Sequence, residues 1–463
     1  MDITHAFATQ IVGIGPNALG DGDHRQLSRL ILDYCAVAYG GTLRPWIRSL
    51  HAWAAPRAGS GPARLIGSDL HLPASDAALV NGAAGHSFEL DDTHDASMSH
   101  PGAVVIPTAL AVAVERAASG ADLLAAVVAG YETMTRIGVA ASAGEVMRAG
   151  YHPTALFGVF GAAAAAGRLL GLDADAMVRA WGHALSLAAG SMQFSQEETG
   201  AEVKRVHAGY AARNGILAAE MAAAGIEAPH QALTGRYGFL ALYGHDPRPE
   251  RLLEPKERFS IHEMSLKPYA CCRLLHSMID GLRSATDDFS LPAEAIRSIV
   301  VRGPGKLAEQ HMVTRPKTSM AAQYSLPYTV GATLAYGPER FSVYDESALD
   351  DPEILAWTSR ISVERDLEIE AHYPEHFGTE VTLTLSDGTV RTERVLDSIG
   401  TPTQPMSVEV LVAKARGLIA DVHPAFDLDA LQAAIEGLRH GGSAKALQEH
   451  LGPPPGTPDR AAA

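Results

Sequence analysis

Cysteine is scarce in this chain: Cys35, Cys271 and Cys272 are the only three in 463 residues. Two of them are adjacent and adjacent cysteines rarely pair, so no disulfide framework is implied. Aromatic residues make up only 6%, which disfavours aromatic-rich sheets. Basic residues are outnumbered, 37 Lys and Arg against 53 Asp and Glu, for a formal net charge of −16. A nucleic-acid protein would show a basic footprint, so that partner is excluded. A small anionic partner is not, because a local cluster of Lys, Arg and His overrides the global field. No uninterrupted apolar run approaches the roughly 18 residues that cross a bilayer, so no membrane association is expected. The opening MDITHAFATQIVG has no basic segment followed by an apolar core, and no signal peptide is expected. Together these absences predict a reducing, cytoplasmic setting.

What is present is Ala- and Gly-rich sequence with 47% hydrophobic residues, a composition that favours closely packed helices. Apolar residues recur at helical spacing in 26–38, 74–89, 104–118, 121–142, 154–172, 173–189 and 208–224. Pro153 suits the first turn of its helix, where the missing N–H has no partner to lose. No convincing strand interrupts this region. Gly13, Gly15 and Gly20 superficially suggest a dinucleotide loop, but Pro16 lies inside it, Ala18 replaces the third glycine and no strand precedes it. Near Phe259 the pattern changes. Residues 295–301 are β-branched and short, 361–363 suggest a second strand, and 380–385 with 390–395 read as a hairpin around Ser386-Asp387-Gly388-Thr389. Residues 320–336 are helical in pattern, interrupted by Pro327, and helices return over 407–420 and 428–440, the latter with Asp427 as N-cap. The expected fold is mainly α: an all-helical domain over 1–260, a smaller α+β domain over 261–405, helices over 406–451 that rejoin the first domain, and a Pro/Gly-rich disordered tail over 452–463.

One stretch concentrates chemistry. Asn81–Pro101, NGAAGHSFELDDTHDASMSHP, begins as an apolar helix and ends with Glu89, Asp91, Asp92, Thr93, His94 and His100. Three carboxylates in four positions cost several kcal/mol if buried without partners, so they mark either a solvated helix end or a site. From the residues alone, a helix cap, a metal site and an anion-binding wall all remain open. Lys204 and His207, three apart, share a face of the helix they introduce. His152 sits at a helix mouth, near the positive dipole end. Cys271 and Cys272 read as packing, because no second ligand pair stands at a spacing suited to zinc.

Six segments then carry a resemblance: NGAAGHSFELDDTH with the following HPG, YHPTALFGVFGAAAAAG, KRVHAGYAARNG, TGRYGF, KPYACCRLLH and AAQYSLPY. In this order they resemble the MmgE/PrpD family, which includes 2-methylcitrate dehydratase, cis-aconitate decarboxylase and iminodisuccinate epimerase. The resemblance implies a helical domain built from both chain ends, an inserted α+β lid, a homodimer, and a cleft between the domains that works without metal or organic cofactor. It implies catalytic roles for His100, His152, Lys204, His276 and Tyr324. Glu89, Asp91, Asp92, Thr93, His207, Lys267 and Arg273 join them as the expected substrate-binding set. Three departures touch the same places: Glu89 stands where the relatives carry aspartate, the Thr93-to-His100 spacing is one residue longer, and Lys267 with Cys271-Cys272-Arg273 forms a different lid pattern.

The chemistry is compatible. Moving a proton alpha to a carboxylate needs a base within about 3 Å of the C–H and cations that absorb the developing enediolate charge. Histidine suits the base, with an ordinary pKa near ~6.5. Lys204, Lys267 and Arg273 would clamp carboxylates, arginine bidentately, and Asp91 or Asp92 would orient a histidine. The expected function is a cofactor-independent lyase, a dehydratase or decarboxylase acting on a small di- or tricarboxylate. The alternatives are an epimerase of a dicarboxylate such as an iminodisuccinate-like compound, and a non-catalytic binding protein of the same fold.

Overall fold

The computed structural model describes residues 2–196, 202–373 and 376–454. The protein is mainly helical, with one small mixed sheet. Contacts divide the chain into two compact units. One takes Met1–Phe194, Glu202–Met264 and Val408–Ala463; the other takes Ser195–Ala201 and Ser265–Ser407. Most of the polar loop after Ser195 and the end of the tail, where disorder is expected, lie outside the described residues.

In the helical unit the long helix Val203–Ala223 packs against Pro153–Leu169, Ala74–Gly85 and Ala174–Leu187. Small residues make this possible. A Cβ added to Gly209 would run into the Leu79 carbonyl, and one added to Gly82 would lie 3.0 Å from the Gly209 Cα. The helices therefore meet backbone to backbone, which brings Lys204, Arg205 and His207 beside the chain leaving Gly85. Local signals set the helix starts: Ser119 accepts the Asp122 N–H at 3.1 Å, Asp173 accepts that of Ala176 at 2.8 Å, and Pro153 opens its helix. The helix Val408–Ala420 packs on Asp21–Gly41, tied by Lys414, whose Nζ donates to Asp33 Oδ1 at 2.7 Å and to the Leu90 carbonyl at 3.0 Å.

Several expectations need correction. The helix expected over 74–89 ends at Gly85, because His86 and the residues after it leave helical geometry and Glu89 takes a left-handed φ of 57°. A short antiparallel pair, Ala63–Arg64 with His71–Leu72, lies in the region where no strand was expected; two residues are too few for an alternating pattern to register. The helix Gly120–Ala140 is long and apolar enough to cross a membrane by length and composition. It is a largely buried core helix, whose charged pair Glu132–Arg136, 2.6 Å apart, breaks up the uninterrupted run sought in the sequence.

The second unit holds a four-stranded sheet in the order Ile361–Arg365, Ile296–Gly303, Thr379–Leu385, Val390–Val395, with the first pair parallel and the others antiparallel. Thr379–Leu385 alternates buried and half-buried residues, and the helix His276–Ala285 packs against it and its hairpin partner. The run over 320–336 is two helices, Ser319–Gln323 and Leu326–Tyr336; Ser325 caps the second, so Pro327 stands harmlessly in its first turn.

Candidate active site

The helix Ala74–Gly85 delivers the chain into a loop from His86 to His100 that is buried almost throughout. Asp92 anchors it. Its Oδ1 accepts the Gly102 N–H at 2.8 Å, at the start of the helix Gly102–Glu115, and its Oδ2 accepts the Tyr131 hydroxyl at 2.7 Å. Burial pushes its carboxyl up to about 7, against the lowering effect of those two donors.

Asp91 faces the other way, toward two histidines. Its Oδ2 lies 2.6 Å from His86 Nδ1 and 3.4 Å from His100 Nδ1. His100 Nδ1 also lies 2.8 Å from the Asp92 carbonyl oxygen and 3.3 Å from Thr93 Oγ1. A carbonyl oxygen only accepts, so His100 carries a proton on Nδ1, which leaves Nε2 as the atom of the ring that can act as a base. The His100 side chain is 14% exposed, against 1% for His86. The ring of His86 lies 5.1 Å from that of His100 and 5.7 Å from that of His152. His152 in turn meets His207, Nδ1 to Nδ1 at 2.9 Å, and the Phe194 ring stands edge-on to both. Burial holds His207 down at about 4, helped by the neighbouring His86 and Lys204. Burial also puts His152 well below the ordinary range, reinforced by His86, His207, Lys204 and His100. Both rings are therefore neutral near pH 7.

Glu89 joins this wall to two cations. Held in its left-handed conformation, it accepts from Lys204 Nζ and, at 2.6 Å, from Arg205 Nη1; all three residues are buried. Two cations thus stand beside the histidines, groups that suit an anion.

The α+β unit carries the remaining expected residues. Lys267 is 1% exposed. Arg273 donates to Ser398 Oγ at 2.7 Å and lies over the Phe377 ring. His276 Nε2 lies 3.3 Å from the Cys271 carbonyl, which makes Nε2 a protonated atom that donates. Tyr324 stacks on His311, whose Nδ1 is 2.6 Å from the Tyr324 carbonyl. Two hydrogen bonds, Cys272 N–H to the Gln323 carbonyl at 2.9 Å and Gln323 Nε2 to the Ala270 carbonyl at 3.0 Å, bind the segment carrying Lys267, Arg273 and His276 to the one carrying Tyr324.

Comparison with known proteins accounts for both units. Residues 5–252 match the MmgE/PrpD N-terminal domain and residues 269–438 the MmgE/PrpD C-terminal domain. The chain belongs to the MmgE/PrpD family. It is 29% identical over 425 residues to a cis-aconitate decarboxylase of Aspergillus terreus, covering 85% of this chain and 84% of that protein. It is 29% identical over 442 residues to the Homo sapiens cis-aconitate decarboxylase, covering 89% and 87%. A cis-aconitate decarboxylase-like protein of Aspergillus oryzae is 27% identical over 452 residues, 91% of each chain.

In this family member the helical unit brings together Glu89, Asp91, Asp92, Thr93, His100, His152, Lys204 and His207; Lys267, Arg273, His276 and Tyr324 all lie in the α+β unit. Asp92, expected among substrate-binding groups, has both oxygens engaged in holding the loop. Sequence reasoning missed three members of the cluster: Arg205, Tyr131 and His86. His86 follows a run of Gly and Ala without charged neighbours, and its one signal was standing five residues before Asp91. His86, Asp91 and His100 offer donor atoms within 4.8 Å of one another, a spacing that a divalent ion would accept. The Asp92 carbonyl holds a proton on His100 Nδ1, so that ring could reach an ion only through Nε2.

Proposed function

We propose that this protein is a lyase of the MmgE/PrpD type that dehydrates or decarboxylates a small di- or tricarboxylate without a cofactor. The observation that carries the reading is the fixed tautomer of His100: with Nδ1 donating to the Asp92 carbonyl, Nε2 is a base, and the adjacent Asp91 carboxylate stabilises the imidazolium that forms when it takes a proton. Lys204 and Arg205, which donate to Glu89, supply positive charge for the substrate carboxylate and the enediolate. The cis-aconitate decarboxylase relatives support a tricarboxylate as the first compound to test. Lys267, Arg273, His276 and Tyr324 are proposed to serve the same reaction, the α+β unit acting as a lid, in a homodimer.

Epimerisation of a dicarboxylate uses the same first half-reaction. It is favoured by the presence of a further neutral imidazole, His152, that provides a second base. A panel of di- and tricarboxylates incubated in D2O separates the two. Loss of water or CO2 identifies the lyase, and solvent deuterium at an alpha carbon with inverted configuration identifies the epimerase. Turnover of none of the panel would return the chain to the binding-protein reading. Lys204→Ala and His276→Ala are each expected to lower the rate by roughly 100-fold or more; wild-type turnover in either variant would remove that residue from the proposal. Sedimentation equilibrium tests the homodimer.

A further inference from the structure

His86 takes no part in the scheme above, yet it has the geometry of a working base. Its ring is 1% exposed. Its Nδ1 sits 2.6 Å from Asp91 Oδ2, closer than any approach of His100 to that carboxylate. In this bond the carboxylate oxygen accepts and the ring nitrogen donates, so His86 carries its proton on Nδ1. The lone pair of the neutral ring then lies on Nε2. That atom is buried and has no hydrogen-bond partner among the described residues. A buried polar atom left without a partner costs about 1–3 kcal/mol, so its persistence calls for an explanation, and a functional role is the economical one. The ring neighbours both His100 and His152. It thus stands beside the proposed base, on the same carboxylate, with its acceptor atom uncommitted.

We infer that His86 is a second proton-transfer residue of the site, set as a base by Asp91, with Nε2 receiving a proton from the substrate or handing one back. This rests on the proposed proton-transfer chemistry. The step balances simply: one proton leaves a substrate carbon or hydroxyl for the Nε2 lone pair, Asp91 keeps its charge and faces the imidazolium, and the same proton returns to the product or to solvent when the ring is reset. Because His86 and His100 lean on one carboxylate, the pair accommodates one added proton at a time. Two imidazolium rings 5.1 Å apart would repel each other with only Asp91 between them. The pair therefore divides the labour of base and acid within a catalytic cycle, whichever carbon the substrate presents.

Two measurements on the full-length protein test this. In nitrogen-15 spectra of histidine-labelled protein, assigned with His86→Gln, His86 is expected to be the neutral Nδ1–H form near pH 7, and Asp91→Asn is expected to abolish that fixed tautomer. An Nε2–H ring, or an imidazolium at neutral pH, overturns the inference whatever the substrate proves to be. In kinetics with a substrate the wild type turns over, His86→Gln is expected to lower kcat at least 100-fold with KM changed less than threefold, and added imidazole is expected to restore part of the rate of His86→Ala. Wild-type kcat in His86→Gln overturns it. So does an equal loss in both variants that imidazole does not restore while thermal unfolding shows them folded. If the wild type turns over no polycarboxylate, the lyase reading fails, and the spectra still decide the state of His86.

Discussion

The Nδ1 atoms of His152 and His207 lie 2.9 Å apart, a separation that requires one ring to donate and the other to accept, so the pair shares a single Nδ1 proton. Adding a second would make one ring a buried imidazolium and set two N–H donors against each other, and burial already depresses both. For a histidine whose folded pKa is lowered, stability is intact above the unfolded value and is lost as the unfolded chain takes up protons below it. His207 is held at about 4. Wild type is therefore expected to lose roughly 3 kcal/mol relative to His207→Gln between about pH 6.5 and pH 4, measured by urea unfolding at a series of pH values. A flat difference across that window would show that His207 is protonated in the fold.

Asp92 runs the opposite way. Its carboxyl is raised to about 7, so the folded state holds the proton more tightly than the unfolded chain, and stability falls as pH rises from about 4 through 7. The stability of wild type minus that of Asp92→Asn is expected to drop by several kcal/mol over this window. The same urea series reads it, and a rising difference would contradict the shift.

Replacing Asp91 by Asn keeps the shape but puts an amide, which can donate as well as accept, where His86 needs a pure acceptor and the His100 imidazolium a negative charge. Turnover is expected to fall by roughly 100-fold or more with little change in the melting temperature. Unchanged kcat would show that Asp91 does not govern His100.

Glu89→Gln removes the buried carboxylate that accepts from both Lys204 and Arg205. Breaking a buried ion pair in this way costs about 3–5 kcal/mol, and chemical denaturation is expected to show a loss of that size. Glu89→Asp keeps the charge one methylene short and is expected to lose less. Equal stability of wild type and Glu89→Gln would mean that the three groups are solvated in solution.

Much of the fold was legible because its signals are local. Pro153 marked a helix start, the Asp387-Gly388 turn fixed the hairpin, and Asp427 caps its helix as expected, accepting the Ala430 N–H. The family motifs marked Asn81–Pro101 and Lys204 for the same reason. What stayed hidden depends on contacts far apart in the chain. Glu89 read as the last residue of a helix; its left-handed backbone and its two cations from over a hundred residues away carry no mark in the local sequence. Asp91 and Asp92 look alike as neighbours, yet one faces histidines and the other a helix start and Tyr131. His86 drew no reading from the sequence, because only the fold brings Asp91 back onto it.

The bond from Lys414 to Asp33 spans 381 residues, and both partners are buried. At a synthesis rate of ~5–20 residues per second, Asp33 is made about 20–75 s before the lysine that neutralises it. The helix Val408–Ala420 is thus the closing piece of biogenesis, and until it arrives the first helices hold a carboxylate that has no reason to leave water. Ribosome-bound chains halted before Val408 are expected to be cut readily by protease near Asp33, and chains released after Ala420 to resist.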